Sequence, residues 1–202
     1  MSSDVRFTDF KSDKQPTWCP GCGDFGTMNG MMKALAQTGN DPDNTFVVAG
    51  IGCSGKIGTY VHSYALHGVH GRALPVGTGV KIANPELEVM VAGGDGDGYS
   101  IGAGHFVHAV RRNVDMTYIV MDNRIYGLTK GQFSPTSRED FETRRRRTAP
   151  TSNRSTRWRW RSPPAARSLP SPFRRTPSGT PKSSRRPSST TVSASSTCTR
   201  PV

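Results

Sequence analysis

At 202 residues, only 33% of them hydrophobic, the chain has the length of one ordinary domain but is too polar to bury a core along its whole length. Its net charge of +12 is unevenly held: residues 1–143 carry 12 Lys and Arg against 15 Asp and Glu, whereas residues 144–202 carry 15 basic residues and no acid. The excess charge therefore describes a tail and says nothing about the partners of the remainder. No stretch approaches the apolar length of a membrane span, and the N-terminus lacks a secretory signal pattern, so the cytoplasm is the expected location. Four cysteines in such a chain point to metal or redox work before structural disulfides.

In chain order, Met1 to Thr17 is polar and reads as an extended arm. Trp18-Cys19-Pro20-Gly21-Cys22-Gly23 follows, and a Cys-x-x-Cys pair admits three readings: half a zinc site, a thioredoxin-type redox pair, or part of an iron–sulfur site. No strand-like run precedes Trp18, as a thioredoxin motif requires, and Cys53 stands alone in Ile51-Gly52-Cys53-Ser54-Gly55, where zinc would want a second pair. Three thiolates with a distant fourth suit a 4Fe–4S cluster. Apolar spacing predicts a helix over Thr27 to Gln37 with Gly39 placed as its C-cap, and a short buried strand over Phe46 to Ala49. Three histidines between Val61 and Arg72 are spaced so that they do not share one helix face, which argues against a helical tri-histidine metal site. Gly77 to Asn84 reads as a small-residue helix stopped by Pro85.

The most informative stretch runs from Gly93 to Gln132. An apolar run over Val89 to Ala92 ends in a glycine–aspartate turn, and a helical pattern follows. A second apolar run, Met116 to Met121, ends in Asp122-Asn123. Strand, turn, helix and strand make the βαβ unit of a parallel sheet, and both turns fall at strand carboxyl ends, where such sheets bind ligands. Glycines in the first turn let backbone N–H groups approach a ligand, and the following helix N-terminus favours phosphate. Asp95, the amide oxygen of Asn123 and the main-chain carbonyl of Ile125 form a half-shell for Mg²⁺, which takes oxygen ligands and shares them with phosphates. His105 and His108, on the helix between the turns, read as packing residues. A lone glycine–aspartate turn would be an ordinary surface turn; the paired turns carry the argument.

Gly94-Asp95-Gly96 with Asn123 downstream resembles the thiamine-diphosphate motif, and the flanking sequence is similar to the β subunit of 2-oxoacid:ferredoxin oxidoreductases of the 2-oxoglutarate or broad 2-oxoacid type. The resemblance covers about Asp9 to Thr143. It implies a parallel α/β sheet with helices on both faces, the thiamine-diphosphate-binding fold. It also implies oxidative decarboxylation of a 2-oxoacid to acyl-CoA, with electrons passed to ferredoxin. Mg²⁺ would sit on Asp95, Asn123 and the Ile125 carbonyl, with the diphosphate against Gly96, Asp97, Gly127 and Leu128. Ile51, Gly52, Cys53 and Ser54 would touch the cofactor, and His70, Gly71 and Arg72 would lie beside it. Cys19, Cys22 and Cys53 would hold a single 4Fe–4S cluster whose fourth ligand lies near the family's C-terminus. A lysine at position 56 faces substrate in the family, although the residue alone reads equally as a solvated surface lysine. Pyruvate-specific relatives carry Thr-Gly-Gly-Gln where this chain has Thr129-Lys130-Gly131-Gln132, which gives Lys130 a second substrate carboxylate to pair with. The implied partners are the α subunit, which supplies the acid that activates the aminopyrimidine, together with ferredoxin, the 2-oxoacid and coenzyme A.

From Arg144 onward Arg, Ser, Thr and Pro make up 45 of 59 residues, with no period of a helix or strand, so the tail is expected to be disordered. One reading makes it a basic nucleic-acid arm with Trp158 or Trp160 stacking on bases. A metabolic β subunit has no evident use for one, and neither nucleic acid nor a membrane is an expected partner. The preferred reading is translation out of frame. Arg157-Trp158-Arg159-Trp160-Arg161 written with CGN codons gives an apolar–Ala alternation in another register. On that reading Cys198 is an accident of register, the fourth cluster ligand is missing, residues 1–143 are an incomplete thiamine-diphosphate and iron–sulfur domain, and the product is expected to be truncated and inactive.

Overall fold

A computed structural model describes residues 5–138, 141–142 and the backbone of 193–194. Its helices are α1 (Gly23–Gln37), the single turn α2 (Ile57–Tyr60), α3 (Ala73–Ala83) and α4 (Ala103–Arg112). The strands β1 (Thr45–Ala49), β2 (Tyr64–His67), β3 (Glu88–Gly94), β4 (Thr117–Met121) and β7 (Ser193–Ala194) form one sheet in the order β2-β1-β3-β4-β7, and every pairing in it is parallel. A two-stranded antiparallel ribbon, β5 (Ile125–Tyr126) with β6 (Gln132–Phe133), follows β4.

Both faces of the sheet are covered, as the fold expectation required. Successive residues of a strand point to opposite faces, and here the alternation sorts one strand into two cores. Met90 and Ala92 of β3, with Ile119 and Met121 of β4, pack towards Met28, Met32 and Leu35 of α1. Val89, Val91, Tyr118 and Val120 face Ala73 and Leu74 of α3 and Phe106 of α4. The continuous apolar runs in the sequence thus reflect burial on both sides, the signature of a parallel sheet. Small residues let α3 lie close: a Cβ on Gly77 would stand 2.6 Å from the Val91 side chain.

Helix α1 starts four residues earlier than its apolar periodicity suggests, because Cys22 already serves as N-cap and the polar first turn belongs to the helix. It ends as expected. Gly39 takes a left-handed φ of 73°, and the N–H of Asn40 returns to the Leu35 carbonyl at 3.1 Å, closing a Schellman motif. Helix α3 likewise starts before Gly77, at Ala73.

Three readings are corrected. The N-terminal arm is not extended throughout: Phe7–Phe10 forms a 3₁₀ turn, Phe10 is completely buried, and Lys11 bridges to Val61. Its aromatic residues three apart pack onto the α1 side of the sheet despite the polar residues between them. Tyr64–His67, read only as a histidine-bearing segment, is the edge strand β2; its side chains are all exposed, so no buried alternation announces it. His108 is exposed and His105 half-buried, so only the latter fits a packing role. The tail from Arg144 lies outside the described residues except at Ser193–Ala194, which forms a two-residue strand.

Glu88 opens β3 with its carboxyl raised above the usual range, first by burial, against the lowering influence of Lys81. A raised acid binds its proton more tightly folded than unfolded, so its burden is absent below its ordinary value and grows as pH rises through the folded value. Glu88→Gln should therefore melt higher than the parent near neutrality, with the gap closing as pH falls below about 4. Thermal unfolding at the two pH values checks this.

Candidate cofactor site

Strand order places the site. β1 is followed in sequence by β2 on one side and flanked by β3 on the other, so the chain reverses direction of travel across the sheet at the β1–β3 boundary. In open parallel sheets that switch point leaves a crevice at the strand carboxyl ends. Here the crevice is lined by the loop after β1 (Ile51, Gly52, Cys53, Ser54), by Gly94 to Asp97 after β3, and by Asn123 and Ile125 to Thr129 after β4, with Asp24 and His70 completing the wall.

Register brings the two decisive turns level. Gly94 pairs with Met121, so the next residues, Asp95 and Asp122, leave the sheet side by side. Asp95 is 1% exposed and accepts a hydrogen bond from the Thr136 hydroxyl at 2.6 Å. Asn123 folds into an Asx turn, its Oδ1 accepting from the N–H of Ile125 at 3.1 Å, which turns the Ile125 residue into the crevice wall. Asp95, Asn123 and Ile125 therefore share one crevice.

The glycines after β3 are required by close packing. A Cβ on Gly96 would fall 2.3 Å from the Tyr126 ring, whose hydroxyl donates to the Gly96 carbonyl at 3.0 Å. A Cβ on Gly98 would meet the Tyr118 hydroxyl at 2.2 Å. That hydroxyl sits in a buried setting which, with Asp97, Tyr99 and Asp95 nearby, raises its pKa far above the tyrosine range. A π-helical turn over Asp97–Ile101 separates the strand tip from α4, so the regular helix begins only at Ala103.

The carboxylate of Asp97 is bonded to the protein's own loops. It is buried, and its Oδ1 accepts from the N–H of Ile51 at 3.1 Å, the N–H of Gly71 at 2.8 Å and Nδ1 of His70 at 2.5 Å. One acid thus ties the loop after β1 and the segment before α3 to the turn after β3. Gly71 is held by the same acid and does not line the crevice, whereas His70 does, with its ring edge-on to Tyr126.

Other expected residues are placed differently. Arg72 is exposed, with its guanidinium directed to the carbonyls of Gly71 and Ile101, outside the crevice. Lys56 donates to the Thr17 hydroxyl at 3.0 Å and also stands outside it. Lys130 is exposed at a left-handed φ of 73°, immediately after the lining residue Thr129. The cysteine loops are brought together by Trp18, which donates from Nε1 to the Cys53 carbonyl at 2.7 Å and packs edge-on against Phe25 and Tyr60. Cys53 lines the crevice, Cys22 caps α1 and Cys19 is exposed. Among the described residues, no three His, Cys, Asp or Glu side chains are grouped around one ion position. Thr136 and Asp97's linking role had no sequence motif to announce them.

A parallel sheet whose switch-point crevice carries a glycine–aspartate turn level with an Asp-Asn turn is the architecture of a thiamine-dependent enzyme. Residues 50–159 match the model of the thiamine pyrophosphate enzyme C-terminal TPP-binding domain, and the chain belongs to that family. Its sequence is similar to β subunits of 2-oxoacid:ferredoxin oxidoreductases. It is 56% identical over 128 residues to 2-oxoacid:ferredoxin oxidoreductase 2, subunit beta, of Aeropyrum pernix, covering 63% of this chain and 41% of that one. It is 47% identical over 129 residues to the 2-oxoglutarate oxidoreductase subunit KorB of Mycobacterium tuberculosis, covering 64% and 35%. A solved 2-oxoglutarate:ferredoxin oxidoreductase from Magnetococcus marinus, with 2-oxoglutarate, coenzyme A and succinyl-CoA bound, superposes with a TM-score of 0.67 at 54% identity, covering 68% of this chain and 47% of that one. The chain spans less than half the length of these relatives. Among the described residues no helix is long and apolar enough to cross a membrane.

Proposed function

We propose that the chain serves as the cofactor-binding β subunit in oxidative decarboxylation of a 2-oxoacid to its acyl-CoA, with electrons delivered to ferredoxin and an α subunit completing the active site. The observation that carries this is the shared crevice of Asp95, Asn123 and Ile125 at the switch point. The donor set fits Mg²⁺, which binds through one or two carboxylates plus phosphate oxygens in preference to an all-protein cage. When bound, thiamine diphosphate supplies a carbon nucleophile for the 2-oxo group and an acceptor for the electrons that CO₂ leaves behind.

The chain's own contribution is positional. Asp95, Asn123 and the Ile125 carbonyl would hold the ion, and the main chain at Gly96, Asp97, Gly127 and Leu128 would meet the diphosphate. Ile51 to Ser54 would flank the cofactor, with His70 tied beside Ile51 through Asp97. Cys19, Cys22 and Cys53 fit an iron–sulfur cluster in ligand chemistry, because each cysteine binds a different iron and the thiols need not converge on one point. Cys198, the remaining thiol, lies outside the described residues. Lys130, on the exposed loop beside the crevice rim, would meet a second carboxylate and so favour 2-oxoglutarate over pyruvate. The out-of-frame origin of residues 144–202 belongs to the same proposal, and DNA sequence across codons 140–150 in close relatives tests it.

The deciding experiment is co-purification with the cognate α subunit, followed by measurement of 2-oxoacid- and coenzyme A-dependent ferredoxin reduction. Turnover that requires thiamine diphosphate and Mg²⁺ supports an active subunit, and cofactor uptake without turnover supports the same lineage with a truncated, inactive product. Steep salt-dependent binding of DNA or RNA without cofactor uptake would favour the nucleic-acid alternative.

A further inference from the structure

Thr136 is three residues beyond β6 and forty-one beyond Asp95, yet its Oγ1 lies 2.6 Å from Oδ2 of Asp95 and 2.8 Å from Oδ1 of Asp122. These are the first residues past the ends of β3 and β4, so a single hydroxyl spans the gap between the two strand tips. We propose that Thr136 is a positioning residue for the divalent cation: it fixes the plane of the Asp95 carboxylate and sets the separation of the two turns between which the ion binds.

Three features support the role. A hydroxyl has one proton to donate, so two carboxylates facing it leave one acceptor short of a donor, and a cation on Asp95 relieves that shortage. The segment carrying Thr136 is itself braced. Ser137 donates to the Arg124 carbonyl at 2.7 Å, and its Oγ accepts from the Ser134 N–H at 2.8 Å, which locks residues 134–137 to the loop bearing Asn123. The β5–β6 ribbon lies between Asn123 and Ser134, and its pairing of Ile125 with Phe133 returns the chain to the crevice at that place. The same oxygen of Asp122 also accepts from the N–H of Arg124 at 3.1 Å, so the Thr136 contact reaches a turn that is already ordered.

This inference rests on the Mg²⁺ and thiamine diphosphate reading above, and its test separates the two. Mg²⁺ is titrated calorimetrically into the full chain at fixed, excess thiamine diphosphate, for the parent, Thr136→Val and Thr136→Ser. Outer partners of metal-ligating groups typically contribute about 10–100-fold in affinity, so Thr136→Val should weaken Mg²⁺ by that factor. Thr136→Ser, which restores the hydroxyl, should stay within about 3-fold of the parent on the same scale. Parent protein that binds Mg²⁺ while Thr136→Val binds it equally well overturns the positioning role and leaves the cofactor reading intact. A Thr136→Ser variant as weak as Thr136→Val also overturns it, because the hydroxyl is then not what matters. Parent protein that gives no Mg²⁺-dependent heat overturns the cofactor reading, and this role with it.

Discussion

Asp95→Asn should lower the affinity for thiamine diphosphate in the presence of Mg²⁺ by on the order of 100-fold or more, since a direct ligand matters more than the outer-shell partners whose loss costs about 10–100-fold. The substitution keeps the volume of the side chain and its capacity to accept from Thr136, so the turn after β3 retains its shape. What it removes is the formal charge opposite the cation. The loss should be confined to the Mg²⁺-dependent part of binding, and titrations with and without the metal separate the two parts. A variant that binds cofactor like the parent would show that the buried carboxylate, 1% exposed at the head of the crevice, serves the fold alone.

Asp97→Ala should have the largest effect on stability. The acid accepts from three donors, two of them backbone N–H groups of the loop after β1 and the segment before α3. Removing it strands those donors, and losing hydrogen bonds to a charged acceptor in a buried setting costs about 3 kcal/mol. Urea unfolding should show the midpoint falling with little change in slope. The pocket should suffer as well, because Ile51 and His70 are both held by this side chain. Asp97→Asn, which keeps one acceptor oxygen, should lie between the parent and the alanine variant. Neither loop can be re-tied from Gly50 or Gly93, whose missing side chains are what make room for Asp97: a Cβ at Gly50 would lie 2.1 Å from its Oδ2.

The sequence made the βαβ unit legible because its signals were local. Val89 to Ala92 and Met116 to Met121 are short apolar runs bounded by turn residues, and the parallel register that sets Gly94 beside Met121 follows once both are strands of one sheet. Asp95 and Asn123 could be joined on paper for the same reason. Thr136 could not, because its partners lie 41 and 14 residues away and no periodicity links them. The edge strand Tyr64–His67 escaped notice because an exposed edge needs no apolar alternation, and Phe10 because a single buried aromatic in a polar arm looks like any other. The family's lysine and arginine positions show the same limit. Lys56 and Arg72 are placed by long, flexible side chains whose contacts, with Thr17 in one case and Ile101 in the other, depend on tertiary neighbours.

The central claim is that two turns at the ends of β3 and β4 hold one ion between them. A double-mutant cycle on Mg²⁺-dependent thiamine diphosphate affinity, using Asp95→Asn, Asn123→Ala and the pair together, tests it most directly. If both residues serve the same cation, the double variant should be no weaker than the weaker single variant, because once the ion is lost the second residue has nothing left to hold. Losses that simply add, as they do for independent sites, would place the two residues in separate roles and contradict the account.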